Sequence, residues 1–496
     1  MSSMQIRLAY TISGLILFLV VLYYPILGTY AHTDAYEFFW NAKRNPDFHH
    51  VFIQGGRPIF GFILTKLFQW TISIDDLKYI RIISFFGNTV LIIMFYYYLK
   101  SLVRKMSAVL ALTLFFASSP FICIAMSWSA LFQAGWAMLA AGISAYLCVT
   151  ALSDQVWNSQ KILKLISAVL IALISLMLYQ PSFTFFVFVI FVVFDQNRDI
   201  RLLVLCVGIY LLVFGLYFIL FKAMLWYTEL PPLGRSHVSL DVFAKIKWFV
   251  ETAFVNSLKF NLIIVRNSYA NFVRVPVALL FLYCICLYFY TNGANRKTVT
   301  YALAIVVAYL LAYLPSLAAV ENHASNRSLG TLVVLNGYFL YKAIDHLFIS
   351  KKIALILTIA ITSVFVCAGF YNLRFGVTNI QTAEYAILKN AVRKILEEDT
   401  ERKVNQINII RPSRQFLEEQ HIVQRESGGE FGLLSNSVDW ATLPMFLAII
   451  DEVAGETGHD PTRIGLNVCN VHEYACINET AVVDVGKEFL AYPGEF

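Results

Sequence analysis

The chain has 496 residues, of which 58% are hydrophobic and 14% are charged, and its mean hydropathy is +0.65. A soluble protein usually carries about 25% charged residues, so this composition excludes an ordinary soluble enzyme. The formal net charge of +6 is spread through the connections between apolar runs and indicates no nucleic-acid partner.

The apolar runs predict a polytopic α-helical membrane protein, because a spanning helix needs roughly 20 apolar residues and many windows qualify. The first run is too long for a signal peptide and is followed by no small-residue cleavage site, so we interpret it as a retained helix. We predict eleven spans, at 9–30, 80–99, 106–124, 129–150, 163–180, 182–195, 202–221, 275–291, 299–316, 329–348 and 353–372.

Every second connection between these spans is short and basic. Excess Lys and Arg in short loops marks the cytoplasmic side of a membrane, which predicts a cytoplasmic N-terminus. The opposite side then receives the long segments: loop 31–79, loop 222–274, the connection Ala318–Arg327 and the tail. The basic connections contain Lys100, Arg104 and Lys105; Lys161 and Lys164; Arg198 and Arg201; Arg296 and Lys297; and Lys351 and Lys352.

The chain divides by composition into a transmembrane module, 1–372, and a tail, 373–496. The tail predicts a small extracytoplasmic α/β domain, with helices at Ala383–Glu398 and Ala441–Val453 and strands at Lys403–Ile410, Ile464–Val468 and Ala481–Val485. It also contains Cys469 and Cys476, the only cysteines outside the predicted spans. A bridge between them would suit an oxidising compartment, and two separate thiols are the alternative.

The first external loop holds two short helix-forming segments, Ala35–Lys43 and Pro58–Trp70, which we expect to lie in the membrane interface. Asp34 and Glu37 are three residues apart and would share a helix face. Their functional interpretation is a general base, or a carboxylate that orients an acceptor hydroxyl. The alternative is helix capping by the same two residues. Trp40 would add an apolar face for a sugar ring.

Gly55-Gly56-Arg57-Pro58 allows a sharp turn that returns Arg57 to the membrane surface. Arginine suits phosphate because its guanidinium donates two parallel hydrogen bonds; an interfacial anchor is the alternative. Loop 222–274 is unusually basic for an external loop and includes Arg235, so it predicts an anionic client such as a phosphate head group.

Two further polar segments lie at the outer ends of predicted spans. Glu321, His323 and Arg327 belong to a polar connection longer than a turn needs, where Arg327 could hold a lipid phosphate or anchor the interface. Tyr179 and Gln180 end the fifth span, where a buried Gln must find partners. They could bind a sugar, or Gln180 could satisfy backbone groups released by Pro181.

Several motifs are absent from the sequence. It contains no Gly-rich dinucleotide or phosphate-binding loop and no Cys/His set with zinc spacing. The adjacent His49 and His50 cannot form a ligand pair with helical spacing, so we interpret them as surface residues. The sequence therefore predicts no nucleotide substrate and no cofactor; it indicates no metal site but leaves a divalent cation open.

Taken together, these segments resemble the membrane-embedded GT-C glycosyltransferases, and among them the bacterial serotype-converting glucosyltransferases that modify O-antigen. The resemblance covers the whole architecture and rests on Thr33-Asp34-Ala35-Tyr36-Glu37, Gly56-Arg57-Pro58, Tyr179-Gln180, Asn326-Arg327-Ser328 and the external tail.

The resemblance implies a function and a location. A sugar, expected to be glucose, would move from a polyprenyl-phosphate donor to a glycan acceptor such as the O-antigen of lipopolysaccharide, at the outer face of the bacterial inner membrane. Asp34 would be the catalytic carboxylate. Such enzymes often have a paired acidic motif there, whereas the partner in this chain, Glu37, is three positions away. Arg57, Arg327 and Arg235 would neutralise the donor phosphate.

Three other functions remain open at the level of sequence. A lipid-glycan flippase would share the spans but should carry charges along a path through the membrane. An O-antigen ligase or polymerase should place its key residues in a large late loop. A non-catalytic membrane scaffold would tolerate loss of Asp34.

Overall fold

The computed structural model of the protein is mostly helical, with a small sheet near the C-terminus. The structure describes residues 3–103, 105–153, 158–234, 237–263, 279, 296–347, 350–420, 430–470 and 481–492. Long apolar helices occupy the first three quarters, as the composition predicts.

Six segments of the described chain are long and apolar enough to cross a membrane. They are Leu8–Leu27, Leu77–Leu102, Ser129–Ser153, Ser159–Leu178, Ile200–Thr228 and Lys351–Glu398. The helices Met106–Ala117 and Pro120–Ser127 make a seventh crossing if they count as one span bent by 46°. Pro120 accounts for the bend, because proline has no N–H to continue the helical ladder.

The remaining predicted spans are not confirmed as membrane crossings. Residues 182–195, 299–316 and 329–348 are largely helical, but their helices fall short of a span in length or apolarity. These helices are Phe185–Asn197, Arg296–Leu311 with Leu314–Ala318, and Gly330–Leu347. The predicted span 275–291 lies outside the described residues, apart from Leu279. The described helices thus establish the class, a multi-pass helical protein, and not the number eleven.

The helix Phe185–Asn197 forms the centre of the bundle. Every residue from Phe185 to Asp195 is buried, and its rings stack on Phe116 and on neighbouring aromatic side chains. A helix that is apolar on all sides is stable only when protein or lipid surrounds it. Here protein does, which explains how a helix of 13 residues can lie within the bundle.

The first loop contains the helices that the sequence predicts. Asp34–Arg44, here called the first-loop helix, is followed by the short helix His50–Gln54 and by Pro58–Trp70. The last of these begins with proline at its first position, where a missing N–H has no consequence.

Arg81 attaches the segment before the first-loop helix to the bundle. Its guanidinium is completely buried and donates to the carbonyl oxygens of Ile26, Gly28 and Tyr30 at 2.7, 2.5 and 2.8 Å. A buried charge is stable only when its donors are satisfied. Arg81 therefore fixes the path of the chain that leads from the first span to Asp34.

The C-terminal region contains a three-stranded sheet with the order β2-β1-β3, in which both pairings are parallel. Parallel neighbours need crossover connections, and between β1 and β2 the helices Arg414–Glu419 and Asp439–Thr457 lie in that connection. The strands are β1 (Gln406–Arg411), β2 (Gly465–Asn470) and β3 (Val482–Asp484), and the helices are Asn379–Glu398, Arg414–Glu419, Asp439–Thr457 and Val485–Ala491. Cys469, on β2, is disulfide-bonded; Cys476 lies outside the described residues.

The helix Asp439–Thr457, here called the tail helix, packs side by side with the first-loop helix. Trp440 bonds to Asp34 near the start of both helices, and Asp451 pairs with Arg44 at 2.6 Å further along. The two ties occur in the same order along both helices, so the helices run in the same direction. The first loop and the tail therefore lie at the same end of the bundle.

Candidate active site

Asp34 is the first residue of the first-loop helix, and its two carboxylate oxygens contact different partners. Oδ1 accepts a hydrogen bond from the indole Nε1 of Trp440 at 2.8 Å, and Oδ2 lies 3.8 Å from Nη1 of Arg327. The capping position belongs to Thr33, which makes no side-chain cap hydrogen bond. Asp34 therefore does not cap the helix, and its side chain belongs to a tertiary cluster.

Arg327 lies between two carboxylates. Its Nη1 faces Asp34, and its Nε lies 3.6 Å from Oε1 of Glu430. The guanidinium also lies over the ring of Trp128, 4.9 Å from the centroid, a geometry that favours a cation. The other oxygen of Glu430 accepts from the backbone N–H and the side-chain amide of Asn326 at 3.1 and 3.2 Å. We call Asp34, Arg327 and Glu430 the acid–arginine cluster.

Burial and charge oppose each other in this cluster. Burial raises the pKa of the Glu430 carboxyl, although the Arg327 guanidinium works in the other direction. Burial also acts to lower the pKa of Arg327, but the surrounding groups, Tyr179 and the two carboxylates, outweigh it and raise that pKa. Arg327 is therefore a permanent cation held at a half-buried position.

His32 lies beside the cluster and contacts the backbone of Glu430. Its Nε2 lies 3.0 Å from the carbonyl oxygen of Glu430, its Nδ1 lies 2.9 Å from the hydroxyl of Thr33, and its ring packs on Trp128 with centroids 4.7 Å apart. Burial lowers the pKa of His32 to about 4. The imidazole is consequently neutral at pH 7 and adds no second positive charge beside Arg327.

The backbone immediately before Asp34 is strained. Thr33 has a φ of 34°, which is rare for a β-branched residue. Its N–H donates to the hydroxyl of Ser435 at 2.9 Å, and the backbone N–H of Ser435 donates to the buried carboxylate of Glu384 at 2.8 Å. Strain of this kind persists only where surrounding contacts enforce it, and it is common at functional sites.

A second cluster forms around the turn at Gly56. The side-chain amide of Gln180 donates to the carbonyl oxygens of Gly55 and Gly56 at 3.1 and 3.3 Å and to the hydroxyl of Tyr217 at 2.7 Å. Gly56 has a φ of 74°, a conformation that glycine adopts without steric cost. Arg57 follows this turn and lies near the rings of Phe52 and Phe60. Gln180 thus binds the turn itself.

The two clusters are joined through consecutive residues. Tyr179 is buried and interacts electrostatically with Arg327, and Gln180 binds the turn before Arg57. The structure therefore brings Asp34 and Arg327 into direct contact and places Arg57 in the neighbouring cluster.

Of the other two candidates on the first-loop helix, Glu37 lies on the same side as Asp34 and Trp40 does not. Glu37 is half-buried, one helical turn beyond Asp34. Trp40 lies six residues beyond Asp34, which at about 100° per residue turns it about 120° away. The Trp40 ring packs instead under the guanidinium of Arg44, 3.1 Å from its centroid.

The polar connection before Arg327 is held by its neighbours. The ammonium of Lys245 donates to the backbone carbonyl of Glu321 at 3.2 Å. The hydroxyl of Tyr313 donates to the backbone carbonyl of His323 at 2.7 Å. The Glu321 side chain is exposed, and His323 is half-buried. Arg235 lies outside the described residues.

Four side chains of this site are not among the residues that the sequence predicts: His32, Trp128, Glu430 and Trp440. His32 precedes Thr33-Asp34 and could have been suspected as a polar residue at the end of an apolar span. Glu430 and Trp440 lie about 400 residues from Asp34 in the chain, and no local pattern links them to it. Only the packing of the tail against the first loop brings them there.

Asp47, His49 and His50 form a separate group in the first loop. One possible ligand atom from each lies within 4.8 Å of the others, although the sequence suggested only surface histidines here. The first-loop helix, about 15 Å long at 1.5 Å per residue, separates this group from Asp34. A cation bound there would not contact the acid–arginine cluster.

The fold and the cluster define a multi-pass helical membrane protein with an acid–arginine cluster at one end of its bundle. No protein-family model matches the chain, and neither a curated protein nor a solved structure matches it.

Proposed function

We propose that this protein is a membrane glycosyltransferase of the GT-C type. It transfers a sugar, expected to be glucose, from a polyprenyl-phosphate donor to a glycan acceptor such as O-antigen. The observation that carries the proposal is the contact between Asp34 and Arg327, a carboxylate and a guanidinium 3.8 Å apart at a bundle end. The carboxylate suits an acceptor hydroxyl, and the guanidinium suits a donor phosphate.

In the proposed reaction, Asp34 orients an acceptor hydroxyl and accepts its proton. The hydroxyl oxygen forms a bond to the anomeric carbon, the bond between that carbon and the phosphate oxygen breaks, and polyprenyl phosphate leaves with the electron pair. Arg327 stabilises the charge that develops on the leaving phosphate.

Arg327 retains the capacity to bind that phosphate. Its contacts with Asp34 and Glu430, at 3.8 and 3.6 Å, are longer than a hydrogen bond. A guanidinium has five N–H donors in a planar arrangement, so an incoming phosphate can engage them without removing either carboxylate.

The proposal includes the finer topology: eleven spans, a cytoplasmic N-terminus, and a tail domain on the outer face of a bacterial inner membrane. The packing of the tail helix on the first-loop helix supports it, because it requires both segments to be on one side. The disulfide at Cys469 supports an oxidising compartment for that side.

Transport of a lipid-linked glycan is less well supported. A transporter should have buried charges along a path through the membrane. The buried Arg81 and Asp195 and the half-buried Lys342 each lie near an end of their described helices. Arg81 binds backbone carbonyls, and Lys342 pairs with Asp195 at 2.5 Å.

The test is transfer by an Asp34→Asn variant in proteoliposomes that contain polyprenyl-phosphate glucose and short oligosaccharides from bacterial O-antigen. We expect transfer to fall by about 100-fold or more, the usual contribution of a positioned base, while the protein inserts normally. Asn keeps the shape of the side chain and can still meet Trp440, so a folding defect is not expected.

Asp451→Asn is the matched control. It removes the other tie between the same two helices, an exposed ion pair with Arg44, and such pairs contribute about 1 kcal/mol or less. We expect this variant to transfer sugar at close to the wild-type rate. Unchanged transfer by Asp34→Asn would remove Asp34 from the mechanism and with it the main support for the enzyme.

A further inference from the structure

The sequence predicts that Trp40 provides the apolar face for a sugar, but a different tryptophan lies beside Asp34. The Trp440 indole donates to Asp34 Oδ1 at 2.8 Å, whereas Trp40 packs on Arg44. We infer that Trp440 is the platform on which the sugar ring of the acceptor glycan stacks. This inference rests on the proposed function, because it assigns the acceptor subsite of the same reaction.

The first argument is exposure. Trp440 is 58% exposed although its N–H is engaged. An indole whose polar edge is bound and whose ring is open offers a large apolar surface at little conformational cost. The C–H groups of a pyranose pack on such a surface, because one face of many sugars is apolar while the rim carries the hydroxyls.

The second argument is that the two oxygens of the Asp34 carboxylate face different groups. One oxygen faces the indole N–H and the other faces Arg327. A sugar over the indole would thus have a hydroxyl near the carboxylate that must receive its proton, with the proposed phosphate site on the other side. The order Trp440, Asp34, Arg327 places acceptor, base and donor phosphate in the sequence that the reaction requires.

The third argument is the polar rim. Asp439 precedes Trp440 and has a side chain that is 83% exposed, and it pairs with Arg411 at the end of β1. Charged, planar groups beside an aromatic ring are well suited to hydroxyls that project from the edge of a stacked sugar.

The fourth argument is positional rigidity. Trp440 lies on the tail helix, which packs side by side with the first-loop helix. Glu452 of the same helix accepts the backbone N–H of Ile74 at 2.6 Å. Binding groups on helices keep their geometry better than those on loops, so the indole meets the acceptor at a fixed place relative to Asp34.

The experiment separates the two parts of the indole. Trp440→Phe keeps an aromatic ring and loses the N–H that orients Asp34, whereas Trp440→Ala loses both. With the O-antigen oligosaccharides as acceptor, we expect Trp440→Ala to raise the acceptor KM by about tenfold, the upper range for one aromatic contact. We expect Trp440→Phe to lower kcat with a smaller change in KM. Trp440→Ala and Trp440→Phe should hydrolyse the donor with water at similar rates, because both lack the N–H to Asp34 and no acceptor takes part.

Trp226→Ala is the control, since Trp226 is also exposed (84%) but lies near the end of an apolar span. An acceptor KM in Trp440→Ala equal to that of this control would overturn the inference. So would donor hydrolysis that is much slower in Trp440→Ala than in Trp440→Phe, because that difference indicates a structural defect.

Direct binding distinguishes failure of the platform from failure of the proposed function. Saturation-transfer NMR can detect contact between the same oligosaccharides and the detergent-solubilised protein without any turnover. Binding that Trp440→Ala abolishes, in a protein that transfers no sugar, would refute the glycosyltransferase and retain the glycan site. Binding that is equal in wild type and Trp440→Ala would refute the platform whatever the activity.

Discussion

The Arg327 guanidinium lies between carboxylates from distant parts of the chain, 3.8 Å from Asp34 and 3.6 Å from Glu430. Asp34 and Arg327 could be selected from the sequence because their residue types suit the chemistry. Asp34 also follows an apolar span, and Arg327 precedes one. Glu430 could not, because a single acid after a Ser-Gly-Gly stretch resembles any surface turn. Its burial is a tertiary property.

The pairing makes a prediction about Arg327 that separates stability from chemistry. Arg327→Ala leaves the buried Glu430 carboxylate without its cation, and loss of one partner of a buried pair costs roughly 3 kcal/mol. We expect a lower melting temperature in detergent and loss of donor-dependent transfer. The double variant Arg327→Ala, Glu430→Gln should recover most of the melting temperature, because a neutral amide needs no cation.

Transfer should stay low in that double variant if Arg327 binds the donor phosphate. Melting temperature and transfer are measured on the same preparations. Recovery of transfer together with stability would mean that Arg327 acts only by neutralising Glu430.

Among the elements, the turn at Gly55-Gly56 shows how a local sequence signal and a tertiary contact combine. The glycine pair predicts a sharp turn, and Gly56 has the positive φ that such a turn uses. The sequence also predicted that the Gln180 side chain needs partners. It could not show that these partners are the carbonyls of this same turn.

This turn makes a prediction with a built-in control. A Cβ at Gly56 would lie 2.2 Å from the Tyr217 hydroxyl oxygen, and its φ of 74° is unfavourable for alanine. Gly56→Ala should therefore lower stability by about 1–2 kcal/mol and reduce transfer by moving Arg57. Gly55→Ala, whose Cβ would find its nearest atom at 3.5 Å, should behave like wild type. Thermal unfolding and transfer assays check both, and similar results for the two glycines would contradict the role given to the turn.

At the scale of the whole molecule, the first loop and the tail lie together, and that relation bears on membrane topology. Short basic connections predict the cytoplasmic side, and the contact between the first-loop helix and the tail helix requires a shared side. The two arguments are independent, because one uses loop charge and the other uses packing.

Cysteine labelling tests this topology. Asn45→Cys, in the first loop, and Glu401→Cys, in the tail, replace exposed residues, as does Lys352→Cys in a basic connection. In spheroplasts, a membrane-impermeant maleimide should modify the first two above the background of the parent chain, and the third only after lysis. Modification of the first two only after lysis would reverse the orientation, and modification of just one of them would contradict the packing of the tail on the first loop.

The sequence by itself determined the class of the protein, the positions of its long apolar helices, the two main first-loop helices and the strands of the tail. These features follow from hydropathy, from the periodicity of apolar residues and from turn residues. Each of these signals is contained in a stretch of a few residues to about twenty. It also pointed to Asp34, Arg327 and Gln180, because polar side chains at the ends of apolar helices are few.

Only the tertiary structure decided which of these residues meet and that Glu430 and Trp440 join them. The physical reason is that these contacts join segments about 100 to 400 residues apart. Such contacts depend on how whole helices pack, and no local pattern in the chain records that packing.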